Sequence, residues 1–217
     1  MQRVIIFGDE VSQRMERSGE KSQREKSKDL NRQKVKNAAA EIIRREGIEQ
    51  LTMRRLAEAA EVSLRTPYNL FGSKTDVLLA LLDDLNDRYI AAAQAMDGRP
   101  ALRRLFGTLD DFEREFSADE AFYREVFHGI MTADQVEPRR VGYDGLIALT
   151  QDLLRQAAAQ GELPADVDAD ALGEHLAVLF MSVLGMWASG FFDLRACVAH
   201  VRRAWASQTP DIETSTR

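Results

Sequence analysis

The chain has 217 residues, 45% of them hydrophobic, a net charge of −6 and one cysteine, Cys197. That hydrophobic content suffices for a real core in one large domain or two helical lobes, and a lone cysteine excludes an internal disulfide framework. The start, MQRVIIFGDE, has too short an apolar run for a secretory leader, so a reducing cytoplasm is the expected location.

The charge is segregated. Residues 1–74 carry 16 Lys and Arg against 11 Asp and Glu, a balance of +5, and residues 75–217 carry 13 against 24, a balance of −11. A positive head on an acidic body can hold phosphates at one end while the rest stays off a polyanion. Residues 1–29 are polar, of mixed charge and without an apolar period after Val4–Phe7, and are expected to be a disordered arm. Within and just beyond it, Arg24, Lys26, Lys28, Arg32 and Lys34 can grip phosphates or simply be solvated.

From Asn31, the apolar residues Val35, Ala38, Ala39, Ile42 and Ile43 recur at the spacing of one helix face, and Gly47 ends that helix. Thr52 is the expected N-cap of a second, short helix with Leu56, Ala57 and Ala60 on its inner side. A turn at Glu61-Val62 follows, and Ser63 is expected to cap a third helix running to about Leu70. Ser73 with Asp76 reads as a capping box opening a long helix striped by Leu78, Leu81, Leu82, Leu85, Tyr89 and Met96.

Pro100 fits the first turn of a helix carrying Leu102, Leu105, Phe106, Leu109, Phe112 and Phe116. Ser117 with Glu120 reads as a further capping box, ahead of Phe122, Tyr123, Val126 and Phe127. Another helix carries Tyr143, Leu146, Ile147, Leu149, Leu153 and Leu154 and ends near Gly161. In the next, Leu172, Leu176, Leu179, Phe180, Val183, Leu184 and Trp187 form a broad stripe to which Val178, Met181 and Met186 add apolar surface. Such a helix must bury two sides; its charge-poor run, Leu176 to Phe192, is just short of a membrane span. The last helix offers Leu194, Cys197, Val198, Val201 and Trp205. These last two helices are the expected dimer interface, meeting their symmetry mates as a four-helix bundle. With no alternating strand pattern, the chain is expected to be all-α with about nine helices. The expected division is an arm at 1–29, a helix-turn-helix domain at 30–75, a larger helical regulatory and dimerisation domain at 76–208, and a tail at 209–217.

The stretch from Leu51 to Lys74 carries the chemistry. A helix-turn-helix needs small residues where its two helices cross, an apolar plug in the turn and polar side chains on the outside of the second helix. Ala57 and Ala60 allow the close approach, Val62 plugs the turn, and Pro67 and Phe71 point inward. Arg65 can fork onto guanine, Asn69 can pair with adenine, and Leu64 or the Thr66 methyl can touch a thymine methyl, with Arg54 a second candidate for a base contact. Thr52, Thr66, Tyr68 and Lys74 suit phosphates, which set register without reading sequence.

The arrangement of Ala38-Ala39, Gly47, Leu56-Ala57, Val62-Ser63, Thr66, Tyr68, Phe71 and Ser73-Lys74 resembles the TetR family of transcriptional regulators over roughly residues 30–80. Two positions depart from its pattern: Glu61 stands where the family usually has glycine, and Pro67 replaces an apolar residue in the recognition helix. The resemblance implies a cytoplasmic repressor that binds a palindromic operator in double-stranded DNA as a homodimer and is released by a small-molecule effector. It implies a helical second domain that dimerises and holds that effector, here one of apolar or aromatic character. Phe112, Phe116, Tyr123, Phe127, His128, Met131, Tyr143, Met181 and Trp187 are candidates for the pocket lining, with core packing the competing role for each. The alternative is a DNA-binding or interaction module that does not switch and whose second lobe only dimerises.

No enzymatic site is expected. His128, His175 and His200 are far apart, HExxH, CxxC, GxSxG and phosphate-binding glycine loops are missing, and neither a metal nor a cofactor is implied. The acidic pairs Asp83-Asp84 and Asp110-Asp111 read as solvated helix faces.

Overall fold

The structure, a computed structural model, describes residues 23–82, 98–133 and 137–209, and for 137–143 the backbone only. Among them the chain forms nine α-helices and no strand. They are α1 (Gln23–Glu46), α2 (Met53–Ala59), α3 (Arg65–Phe71), α4 (helical over 74–82), α5 (Ala101–Ser117), α6 (Glu120–Met131), α7 (Glu137–Ala159), α8 (Ala169–Ala188) and α9 (Leu194–Ala206), with a 3-10 turn at Ile48–Gln50. The expected residues Leu85, Tyr89 and Met96, the Asp83-Asp84 pair and the Tyr143 side chain lie outside the described residues.

Helix α1 buries the predicted face, Val35, Ala38, Ala39, Ile42 and Ile43, and stops at Gly47, whose φ of 83° only glycine adopts freely. It is already helical at Gln23, inside the stretch expected to be disordered. The extra turns lack an apolar stripe but are rich in the good helix formers Gln, Arg, Glu and Lys, with Glu25 in the first turn complementing the helix dipole.

Local capping explains most other boundaries. Thr52 Oγ1 accepts from the Arg55 N–H at 3.2 Å. Ser73 and Asp76 form the full reciprocal box: the Asp76 N–H donates to Ser73 Oγ at 3.2 Å and the Ser73 N–H to Asp76 Oδ2 at 2.9 Å. Pro100 sits at the cap position rather than in the first turn of α5. The free N–H groups behind it, on Ala101 and Leu102, donate to the Glu162 carboxylate at 2.7 and 2.9 Å, so an acid from the α7–α8 connection caps α5.

Ser117 and Glu120 do not form the expected box. Ser117 remains in α5, Asp119 holds the cap position of α6 without a side-chain bond, and Glu120 Oε1 accepts instead from Arg124 at 2.6 Å and from Trp187 Nε1 at 3.1 Å. A charged partner and a buried indole compete better for that carboxylate than a backbone amide at a solvated helix end. Burial pushes the Glu120 carboxyl up, but its hydrogen bonds to Arg124 and Trp187 and the Arg124 charge outweigh this and leave it below the ordinary carboxylate value.

The body packs α8 between α7 and α9, and α5 against α7 and α9. At Gly173 the first of these contacts is backbone to backbone: a Cβ there would lie 2.7 Å from Gln151 Cα. Helix α8 is the one helix among the described residues long and apolar enough to cross a membrane, yet here it buries Leu176, Ala177, Leu184 and Trp187 in the body. Its outer side leaves Val178 41% and Met186 44% exposed, and Phe191 beyond its end is 73% exposed.

The apolar stripe of the final helix turns inward. Leu194, Cys197, Val198, Val201 and Trp205 are all buried in the protomer's own core, and Trp205 Nε1 donates to the Leu176 carbonyl of α8 at 3.2 Å. Its apolar face is therefore spent within the chain and unavailable to a second copy. The Cys197 thiol, fully enclosed, is pushed up by burial to about 12, which leaves it an inert packing group. Thr209 is likewise buried, its hydroxyl bonding the Trp205 carbonyl, so the packed body includes the first residue of the expected tail.

Candidate nucleic-acid interface

Helices α1, α2 and α3 converge on one apolar knot. Leu56, Ala57 and Ala60 of the α2 segment are buried, as is Pro67 of α3, while Val62 and Phe71 pack against the core at partial exposure. The turn between α2 and α3 is a Schellman motif: the Val62 N–H donates to the Ala57 carbonyl at 3.0 Å and the Glu61 N–H to the Glu58 carbonyl at 3.2 Å. The central residue of that motif, Glu61, has φ +54°. A non-glycine residue thus holds a left-handed position.

Ser63 does not cap α3 in the expected way. Leu64 takes the cap position, the Thr66 N–H donates to the Ser63 carbonyl at 2.8 Å, and the two hydroxyls of Ser63 and Thr66 lie 2.8 Å apart. The Thr66 N–H, which a Ser63 side-chain cap would engage, is taken by the Ser63 carbonyl, and the serine hydroxyl turns to the Thr66 hydroxyl instead.

Ion pairs and stacking fix the three helices. Arg55 grips both carboxylate oxygens of Glu46, at 2.8 and 2.7 Å, joining α2 to α1. Arg32 donates to the Leu70 carbonyl at 3.1 Å and lies 4.4 Å from the centre of the Phe71 ring, joining α1 to the end of α3. Expected to grip phosphates or be solvated, Arg32 serves instead as a bolt between helices. Nothing in the local pattern shows this, because its partner is 38 residues away.

The face of α3 turned away from the knot exposes Leu64 (56%), Arg65, Tyr68 (52%) and Asn69, with Thr66 at its edge. On α2, Thr52 and Arg54 are exposed on the same segment. Arg54 pairs with Glu58 at 3.0 Å, but an exposed pair of this kind contributes only about 0.3–0.5 kcal/mol and does not hold the guanidinium against a stronger partner. Lys74 behaves differently. Its ammonium donates to the Ile48 carbonyl at 2.8 Å and lines a hollow of about 350 Å³ with Ser73, Leu78, His128 and Gly129, at the junction of head and body. Seven of the eight residues expected to face DNA are thus on or beside the exposed surface, and the eighth is engaged within the fold.

The same junction couples head to body. The Ile48 N–H donates to Glu125 Oε2 at 3.1 Å, Arg44 bonds Asp119 at 2.7 Å and lies 4.2 Å from the centre of the Phe122 ring, and the Ile48 side chain seats in a notch at Gly129. All these body partners lie on or at the start of α6. Another side of α6 supplies Tyr123 and Phe127 to a ring cluster with Phe112, Phe116, Phe180 and Trp187. Of the residues expected to line a pocket, Phe112, Phe116, Tyr123, Phe127 and Trp187 therefore share one cluster, and Met181 packs against the core near it in sequence. His128 is exposed and lies in the head–body hollow instead, because it falls on a different side of α6 from Tyr123 and Phe127. Phe180, missed in the sequence, belongs to the cluster; its place in the stripe of α8 was the available signal.

Comparison with known proteins bears on the same region. Residues 37–81 match the family model for bacterial regulatory proteins of the tetR family. No curated protein matches the chain. The fold is similar to that of FadR from Thermus thermophilus, a TetR-family transcriptional repressor solved in complex with lauroyl-CoA, at 24% identity and a TM-score of 0.63 over 80% of this chain and 92% of that one. It is also similar to the fatty acid degradation regulator FadR of Bacillus halodurans, at 20% identity and a TM-score of 0.63 over 81% and 94%. NalD, the secondary repressor of the MexAB-OprM multidrug efflux pump in Pseudomonas aeruginosa, shares 17% identity and a TM-score of 0.63 over 86% and 99%.

Proposed function

We propose that this TetR-family transcriptional regulator is a repressor which holds a palindromic operator as a homodimer and leaves it when a small apolar or aromatic effector binds the body. The observation that carries the reading is the role of α6, which touches the head through Asp119, Phe122, Glu125 and Gly129 and the ring cluster through Tyr123 and Phe127. A ligand that parts those rings displaces the element on which the head is seated.

The readers of sequence are Arg65 and Asn69, with Leu64 and Thr66 against thymine methyls and Arg54 as a second base contact. Thr52 and Tyr68 take phosphates. Lys74 takes a further phosphate through the ammonium donors that its bond to the Ile48 carbonyl leaves over. Two heads must sit about 34–36 Å apart to enter successive major grooves, and an effector that prefers another separation lowers operator affinity by linkage.

Dimerisation falls to the outer side of α8, where Val178, Ser182, Gly185 and Met186 are wholly or partly open, together with the exposed Gly145 and Ala148 of α7. Two such pairs related by a twofold axis make a four-helix bundle. The apolar stripe of the final helix is already covered, so that helix meets a second copy only through its other side, where Arg195, Ala199 and Arg203 are wholly or partly open. Domain limits follow: a head at 23–75, counting the helical turns before residue 30, and a body from 76 to about 209.

The effector is of the apolar class because the cluster offers rings with few polar tips, and the Thermus thermophilus relative of similar fold was solved with lauroyl-CoA. A body that only dimerises is the rival reading, favoured by the closeness of the rings, with Phe112 and Phe116 at 4.1 Å between centroids. Selection of bound sequences from random DNA, followed by thermal-shift screening, separates the readings. A palindromic motif, lost in Arg65→Ala and Asn69→Ala, and a compound that raises Tm and releases DNA are the expected results. Retention of sequence preference by both variants refutes the interface; no Tm shift across acyl and aromatic compounds refutes the effector.

A further inference from the structure

The N-terminal turns of α1 lie ahead of the region matched by the family model and form one wall of a groove of about 580 Å³ whose other wall is the recognition helix. Its lining consists of Gln23, Arg24, Ser27, Lys28 and Asn31 from α1, and Thr66, Asn69 and Leu70 from α3. The α1 residues recur at the spacing of a single helix face. That face holds two cations and no carboxylate, while Glu25 and Asp29 project elsewhere.

We propose that this groove is a binding site for the DNA sugar-phosphate backbone, with Arg24 and Lys28 contacting phosphates of the strand that borders the major groove occupied by α3. The site rests on the regulator reading above and extends its footprint beyond the helix-turn-helix. A helix lying in the major groove has a phosphate ridge on either side, and the ridge on the Thr66 and Asn69 side must run between α3 and α1. Arg24 and Lys28 are exposed and, among the described residues, make no ion pair or hydrogen bond. The separation of the two walls is held by Arg32, next to Asn31 in the chain, which ties α1 to Leu70 and Phe71 at the end of α3. Ser27 and Asn31 add neutral donors, the mixture expected of a wall that follows a backbone without reading bases.

The test uses the full chain and fluorescence anisotropy across a salt series, on a selected duplex and on a random-sequence duplex. Arg24→Ala/Lys28→Ala is expected to weaken both complexes by the same factor, and to lower the slope of log affinity against log salt by about 0.9 for each phosphate no longer neutralised. Preference for the selected duplex stays as in the wild type. Lys26→Ala, on the opposite side of α1, leaves the slope unchanged. An unaltered slope in the double variant, or an equal fall with Lys26→Ala, overturns the groove and leaves the regulator reading standing. If the wild type shows no preference for any duplex, the regulator reading falls, and the slope on random DNA still tests the groove.

Discussion

Replacing Glu61 by glycine is expected to stabilise the protein. At φ +54° an L-residue in the left-handed region costs roughly 1–2 kcal/mol relative to glycine, and glycine's greater freedom in the unfolded chain takes back about 0.4–1 kcal/mol. The Schellman bonds at 3.0 and 3.2 Å depend on backbone alone and persist in the variant. The net gain is about 0.8 kcal/mol, equivalent to a Tm rise of about 2–3 °C for a chain of this size. Differential scanning fluorimetry reads it. Glu61→Ala separates strain from charge, since it removes the carboxylate and keeps the Cβ: it leaves Tm near the wild-type value while sharing any gain in DNA affinity. A Glu61→Gly Tm at or below wild type, or equal gains for alanine and glycine, refutes the account.

Three further outcomes follow from the packing. Gly173→Ala places a Cβ 2.7 Å from the Gln151 backbone, where no side chain can yield, and is expected to destabilise by about 1–3 kcal/mol in chemical denaturation despite alanine's better helix propensity; a stability at or above wild type refutes the close contact. Glu162→Ala uncaps α5 and removes two charge-assisted bonds, lowering stability by about 1.5–3 kcal/mol, and a fall no larger than that of an exposed alanine substitution refutes the cap. Because the folded Glu120 carboxyl titrates below the ordinary glutamate value of 4.5, its contribution is present above that value and disappears as pH falls through the folded value. Glu120→Gln is therefore expected to flatten the acid side of the Tm–pH profile below the ordinary glutamate value, and an unchanged profile refutes the assignment.

The helix-turn-helix was legible because its determinants are local. The Thr52 cap, the Ser73–Asp76 box, the Gly47 stop and the inward places of Leu56, Ala57 and Pro67 all follow from residues within a few positions of one another. What escaped the sequence has partners far along the chain. Lys74 reads as a free cation until Ile48 is brought beside it, and Glu120 reads as a capping acid until α8 delivers the Trp187 indole. The final helix teaches the same point: a stripe of Leu194, Cys197, Val198, Val201 and Trp205 states that one side must be covered, without stating by what. Helix α1 escaped differently, since its first turns form on propensity alone and carry no apolar period to be recognised.

The notch at Gly129 sets how closely the two halves of the molecule can sit. A single added methyl would meet Ile48 Cδ1 at 2.1 Å and Leu78 Cδ1 at 3.0 Å, so a side chain at residue 129 must either turn the Ile48 side chain out of the notch or lift the head from α6. In the homodimer proposed above any change in that seat counts twice. On that proposal the spacer between operator half-sites gauges this joint, and a bulkier residue at 129 retunes the reach of the pair while leaving Arg65 and Asn69 in place.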